Sequence, residues 1–306
     1  MLGVINALAP VFVLILIGYM LKRRQWVEDA FWAPAERITY RVFFPALLIA
    51  SGARADLSGG AAWDMGVTLF LATLGSAALA LILKPILKLE PASFTSFFQG
   101  TIRPNTYVGV VAAFLFWGEE GLGLISIGIL AVVPLVNVLS VLVLVVWGEG
   151  HEGQRTLGKA VNEVIRNPLI LACLTGLAIN LSGFSLPVVI EPLLDILGRA
   201  ALPIALMAVG AGLDFPHLKT NAAIASLSSS LKIIVVPAIA WILGTQFGLP
   251  DQAFQVVILY ATMPVSASAY VLSRELGGDN PLVAGIITAS TLAAMVTMPV
   301  WITLAR

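Results

Sequence analysis

Gln99-Gly-Thr-Ile-Arg103-Pro104-Asn105-Thr106-Tyr107-Val-Gly109 lies inside an apolar run. The stretch sets a charge, a helix breaker, hydrogen-bonding side chains and two glycines side by side. Pro104 has no N–H and disfavours the α region for Arg103. Lipid tolerates irregular backbone only where it is buried in protein or lines a wet cavity. The stretch therefore predicts a helix interrupted deep in a membrane. A second stretch has the same character: Tyr260-Ala-Thr262-Met-Pro264-Val-Ser266-Ala-Ser268-Ala-Tyr270.

The surrounding sequence agrees with a bilayer as solvent. The 306 residues are 59% hydrophobic and 11% charged, with mean hydropathy +0.97. Soluble domains are roughly half apolar and about a quarter charged. Spans of ~20 apolar residues are expected at about 4–21, 34–53, 63–87, 93–116, 121–147, 165–182, 188–212, 219–246, 252–274 and 281–304. The fold class expected is an all-α integral membrane protein of about ten transmembrane helices. No positive charge precedes the first apolar run, as a signal peptide requires, so that run is read as a retained helix with its N-terminus outside. The inner loops then hold Lys22, Arg23, Arg24, Arg37, Lys84, Lys88, Arg155, Lys159, Arg166, Lys219 and Arg274. The outer loops and C-terminus hold only Arg54 and Arg306. That asymmetry follows the positive-inside rule and places both termini outside.

The two interrupted helices are related by an internal repeat. Arg41…Pro45…Gly52 returns as Arg199…Pro203…Gly210 at an offset of 158 residues, and Pro104 returns as Pro264 at 160. Five spans per half invert the halves relative to each other, an architecture of many secondary transporters. The expected organisation is a first five-helix repeat over 1–150, a cytoplasmic linker over 151–164 and a second repeat over 165–306.

The chemistry concentrates at the two interruptions. Their half-helix N-termini would offer free N–H groups and partial positive charge, suited to a carboxylate. Arg41, Arg103, Arg199 and Lys232 outnumber the acidic residues at depth, which favours an anionic substrate. Arg41 is expected to snorkel to the inner interface. Arg199 and Lys232 could pair with Asp195 or with backbone carbonyls, and whether these three cations are structural or functional stays open. The residues expected at a substrate site are Arg103, Pro104, Asn105, Thr106, Asn137, Pro264, Val265 and Ser266. For Asn137 a helix–helix hydrogen bond is an equal alternative. Asp64 is the candidate proton carrier, against a plain interfacial role. Ser290 and Thr291 are expected to pack. Cys173 is alone, His151 and His217 fall in loops, and no basic run extends beyond Lys22-Arg23-Arg24. No cofactor, metal site, catalytic residue or nucleic-acid partner is expected. A membrane-embedded enzyme is the rival class, and it lacks a base or metal at depth.

The chain resembles the auxin efflux carrier family, the bacterial relatives of the plant PIN-type carriers. The matching stretches are Pro10 to Tyr19, Arg103 to Gly109, Arg166 to Ala172, Leu202 to Gly210, Lys232 to Pro237, and Met263-Pro264 through Gly277-Gly278-Asp279. Together they run from the first span to the last. The resemblance implies a fold like that of bile-acid symporters and sodium–proton antiporters. Helices 1, 2, 6 and 7 would form a scaffold, often a homodimer, and helices 3–5 and 8–10 a moving transport domain. Broken helices 4 and 9 would cross at the substrate, carried by an elevator motion, with crossover residues Pro104, Asn105 and Pro264. Organic anions are the implied substrates, with export or proton-linked transport first and sodium- or proton-coupled uptake of a malonate- or malate-like dicarboxylate as the alternative. The implied location is the bacterial inner membrane. Val265 stands where plant members carry an asparagine, the central loop is short, and Thr68 replaces a lysine one turn after Asp64. These departures argue against auxin itself.

Overall fold

The computed structural model describes residues 2–54, 61–148, 165–184 and 186–306. The linker expected over 151–164 lies outside the described residues. Apart from one isolated antiparallel bridge, the ordered elements among the described residues are helices. In chain order these are α1 (Leu2–Arg23), α2 (Asp29–Ile38), α3 (Phe44–Arg54), α4 (Ala61–Leu87), α5 (Pro91–Ile102), α6 (Thr106–Trp147) and α7 (Pro168–Ser182). There follow α8 (Ile190–Ala211), α9 (Phe215–Thr220), α10 (Ala222–Ser230), α11 (Val236–Gln246), α12 (Asp251–Thr262), α13 (Ser268–Leu276) and α14 (Asn280–Leu304).

Six helical segments among the described residues are long and apolar enough to cross a membrane: Gly3–Arg23, Ala61–Leu87, Thr106–Trp147, Ile190–Ala211, Ala222–Gln246 and Asn280–Leu304. The other predicted spans fall on helices that are short, such as α7, or interrupted. Large apolar side chains such as Ile82, Ile86, Val146, Ile196 and Leu304 point outward, as they do where lipid is the solvent. The 42-residue α6 is too long for one span of ~30 Å hydrocarbon at ~1.5 Å per residue. It breaks at Gly118, whose φ of 59° and ψ of −139° belong to glycine alone. The chain can reverse there because no Cβ is present.

Two π-helical turns share one cause. Proline lacks the N–H that would bond the carbonyl four residues back. Pro45 follows the turn Thr39–Phe43, and Pro237 follows the turn Leu231–Val235. In each the next amide reaches back five residues, Phe44 to Thr39 and Val236 to Leu231. The Ile233 carbonyl that Pro237 leaves without its amide accepts the Trp301 indole N–H at 3.1 Å.

The helices pack in two groups. α1 lies along α8, and α3 packs on α7 and α8. A Cβ at Gly18 would sit 1.9 Å from the Met207 carbonyl oxygen, and one at Gly210 would sit 1.8 Å from that of Ile15. Only two glycines let these backbones approach so closely. In the second group α4, α5, α6, α10, α11, α12 and α14 surround one another. Its core is aromatic and aliphatic, with Phe94, Phe97, Phe98, Met65 and Leu69 buried. Both interrupted helices belong to this group.

Candidate substrate site at the crossing of two interrupted helices

Helix α5 ends at Ile102 and α6 begins at Thr106; α12 ends at Thr262 and α13 begins at Ser268. The two linking segments run antiparallel and pair at Pro104 and Val265. The Asn105 amide donates to the Pro264 carbonyl at 2.8 Å, and the Ser266 amide to the Arg103 carbonyl at 3.1 Å. This two-bond ladder is the reason the breaks can exist. Each proline strips its helix of a hydrogen bond, and buried backbone groups must find partners elsewhere. The Val265 amide points away from the ladder and donates to Ser290 Oγ at 3.0 Å.

The helix ends are closed in matching ways. Thr101 Oγ1 donates to the Phe98 carbonyl at 2.7 Å, and Thr262 Oγ1 to that of Leu259 at 2.8 Å. The next exposed carbonyls take side chains from neighbouring helices. Ser76 Oγ of α4 donates to the Thr101 carbonyl at 3.3 Å, and Lys232 Nζ donates to the Ala261 carbonyl at 2.8 Å.

The helix starts carry donors. Asn105 caps α6: its Oδ1 accepts the Tyr107 amide at 3.2 Å and the Val108 amide at 3.4 Å. Its Nδ2 is buried and has no hydrogen-bond partner among the described residues. Arg103 is 7% exposed, and its Nη2 donates to Ser268 Oγ, the first residue of α13, at 3.0 Å. Ser268 and Ser266 hydroxyls lie 2.9 Å apart. Thr106 and Ser266 are half-buried and Ser268 is exposed, so this side of the crossing is accessible. Tyr107 stacks on Phe44 of α3 with centroids 4.7 Å apart and rings 12° from parallel. The crossing thus abuts the first helix group.

The structure gathers Arg103, Pro104, Asn105, Thr106, Pro264, Val265 and Ser266 into one place. Asn137 is buried farther along α6. Asp64 is half-buried in the first turn of α4, nine residues or ~13 Å of helix rise from Thr73 beside the crossing. Ser290, expected to pack, serves the crossing through Val265. Ser76 was not legible as part of it, because its partner lies on another helix, and Lys232 meets a backbone carbonyl, one of its two expected kinds of partner. Asp195 pairs with neither Arg199 nor Lys232: its carboxylate lies 2.6 Å from Arg54, which also meets Glu191 at 3.0 Å and Glu119 at 3.8 Å. Arg41 and Arg199 are exposed.

The family model described as membrane transport protein matches residues 149–302, half of the chain. The chain belongs to this family, that of the auxin efflux carriers. Two of its relatives match it nearly end to end. An uncharacterized transporter of Methanothermobacter thermautotrophicus is 28% identical, the match covering 98% of each chain. The uncharacterized transporter YfdV of Escherichia coli is 20% identical over 99% of this chain and 98% of its own. A Rhizobium meliloti protein named "Putative malonate transporter" is 24% identical over 65% of this chain and 67% of its own. The auxin efflux carrier family and these relatives are transporters, so this chain is a multi-pass membrane transporter and not an enzyme.

Proposed function

We propose that the protein carries a small organic anion across the bacterial inner membrane by alternating access, binding its carboxylate at the crossing. The carrying observation is the convergence of hydrogen-bond donors on two stretches of backbone that hold no acid of their own. The Arg103 guanidinium, the buried Asn105 amide nitrogen and the N-termini of α6 and α13 converge, while residues 99–109 and 260–270 contain no Asp or Glu. A carboxylate would accept from these donors, with the serine hydroxyls at the rim.

In this reading the chain has ten spans in two inverted five-helix repeats, with both termini outside. The antiparallel pairing of the two interruptions supports the repeat. The helices of the first group, α1, α2–α3, α7 and α8, form the scaffold, and the close α1–α8 approach supports its rigidity. The second group is the elevator. Export, or transport linked to a proton through Asp64, is the first form of the proposal. The name of the Rhizobium meliloti relative favours a second form, coupled uptake of a malonate-like dicarboxylate. Flux of labelled malonate into liposomes holding the purified protein tests both. Saturable flux is expected; its loss only when sodium is removed selects sodium-coupled uptake, and the absence of flux for malonate and every other organic acid screened sinks the proposal.

A further inference from the structure

The end of α12 is served differently from the end of α5. A helix C-terminus carries partial negative charge on its last carbonyls. In α12 the amide that would serve Tyr260 is that of Pro264, which does not exist, and Met263 N–H substitutes at 3.4 Å. The amide that would serve Ala261 is that of Val265, which is committed to Ser290. The Ala261 carbonyl receives the Lys232 ammonium instead, where the corresponding Thr101 carbonyl of α5 receives only the Ser76 hydroxyl.

Lys232 is 2% exposed. The π turn Leu231–Val235 that holds it packs on α4, α5, α10, α11, α12 and α14. The ionisable residues of those helices are Asp64 and Lys84 at the two ends of α4, Asp251 at the start of α12, and Tyr260. None of these carboxylates lies at the depth of the crossing, so the nearest negative potential is the carbonyl end of α12. Beside the ammonium is a cavity of about 10 Å³, walled by Thr73, Ile102, Pro104, Tyr260 and Ala261, about enough for one water. The Tyr260 hydroxyl is buried without a hydrogen-bond partner among the described residues.

Carbonyl ends of broken helices are where transporters of this general architecture hold a coupling metal ion. We infer that Lys232 is a tethered cation that takes the place of such an ion at the end of α12. The protein supplies this donor from its own chain, so anchoring of the crossing needs no bound sodium. Removing the lysine without filling its space creates a site for a small monovalent cation, coordinated by the freed carbonyl, the Tyr260 hydroxyl and water. The inference deepens the anion-transport reading by assigning the balancing charge, yet it rests on the crossing geometry alone.

The test uses the full chain in detergent without substrate, so its failure leaves the carboxylate site standing, and the reverse. Melting temperature is followed in sodium, potassium, methylammonium and choline chloride at equal ionic strength. Wild type is expected to melt alike in all four. Lys232→Ser should melt several degrees lower in choline and regain at least half of that loss, dose-dependently, in sodium or methylammonium. Lys232→Met, which fills the space without charge, should stay low in every salt. Wild-type stabilisation by sodium over choline, a Lys232→Met protein as stable as wild type, or a Lys232→Ser protein indifferent to the cation would each overturn the inference. Should Lys232→Ser yield no folded protein, Lys232→Arg and Lys232→Met decide. Better retention of stability by arginine supports a required cation, and equal loss overturns it.

Discussion

The Asn105 amide and the Pro264 carbonyl, 159 residues apart, share a hydrogen bond of 2.8 Å. Two helices broken by proline thereby repair each other. The Pro104–Val265 bridge is what turns two weak points into one platform that carries the starts of α6 and α13. Disturbing its supports should weaken the fold, and disturbing the donors beside it should weaken binding. The following variants separate the two.

Ser290→Ala removes the acceptor of the buried Val265 amide. Leaving a buried donor unmade costs about 1–3 kcal/mol. The melting temperature of the purified protein should fall, and Ser290→Thr, which keeps the hydroxyl, should fall less. Equal loss in both variants would mean that shape at position 290 matters more than the hydrogen bond.

Asn105 has two roles that substitution can divide. Alanine loses the cap on α6, worth about 1 kcal/mol, together with the amide donors. Aspartate keeps the accepting oxygen and the cap, removes the free Nδ2 and adds negative charge. Asn105→Asp should therefore melt near wild type while its affinity for carboxylates falls more than tenfold. Thermal denaturation and equilibrium binding on the same preparation check this.

Gly210 and Gly18 set the distance between α1 and α8. A methyl group at either would lie under 2 Å from a main-chain oxygen of the other helix, so the backbones must part. Gly210→Ala should cost more than the ~1–3 kcal/mol of ordinary overpacking. It should lower the melting temperature strongly, whereas Gly3→Ala, with open space around it, should not. Denaturation curves of the two variants settle the comparison.

Arg54 joins three carboxylates, but the side chains are 31–48% exposed. Exposed pairs contribute at most about 1 kcal/mol each. Arg54→Ala leaves Glu119, Glu191 and Asp195 facing one another, so a modest loss is expected at low salt. Raising ionic strength should remove most of it, because screening acts within ~10 Å at 0.1 M. A loss that persists at high salt would give Arg54 a packing role.

The parts of this architecture that could be read in the sequence are those written locally. Pro104, Pro264 and the polar residues beside them mark the interruptions, since a proline without N–H must disrupt its own helix wherever it lies. Apolar runs and loop charges mark a multi-pass membrane protein for the same reason. What could not be read depends on partners brought by packing. Nothing near Val265 announces that its amide turns to Ser290, and nothing near Lys232 names Ala261. Arg199 and Lys232 were expected to meet either Asp195 or backbone carbonyls; Lys232 takes a carbonyl, and Asp195 serves neither. Its partner is Arg54 because α3 packs on α8 at that end. Arg103 was legible as a buried charge, but its contact with Ser268 required the crossing itself.

The most direct test of the central claim is equilibrium binding of malonate and other small carboxylates to purified wild-type protein and to Arg103→Ala. Wild type should bind at least one carboxylate saturably, and the variant, folded by its melting curve, should bind it at least tenfold more weakly. Unchanged affinity in a folded Arg103→Ala protein would contradict the account, because the anion would then bind somewhere other than the crossing.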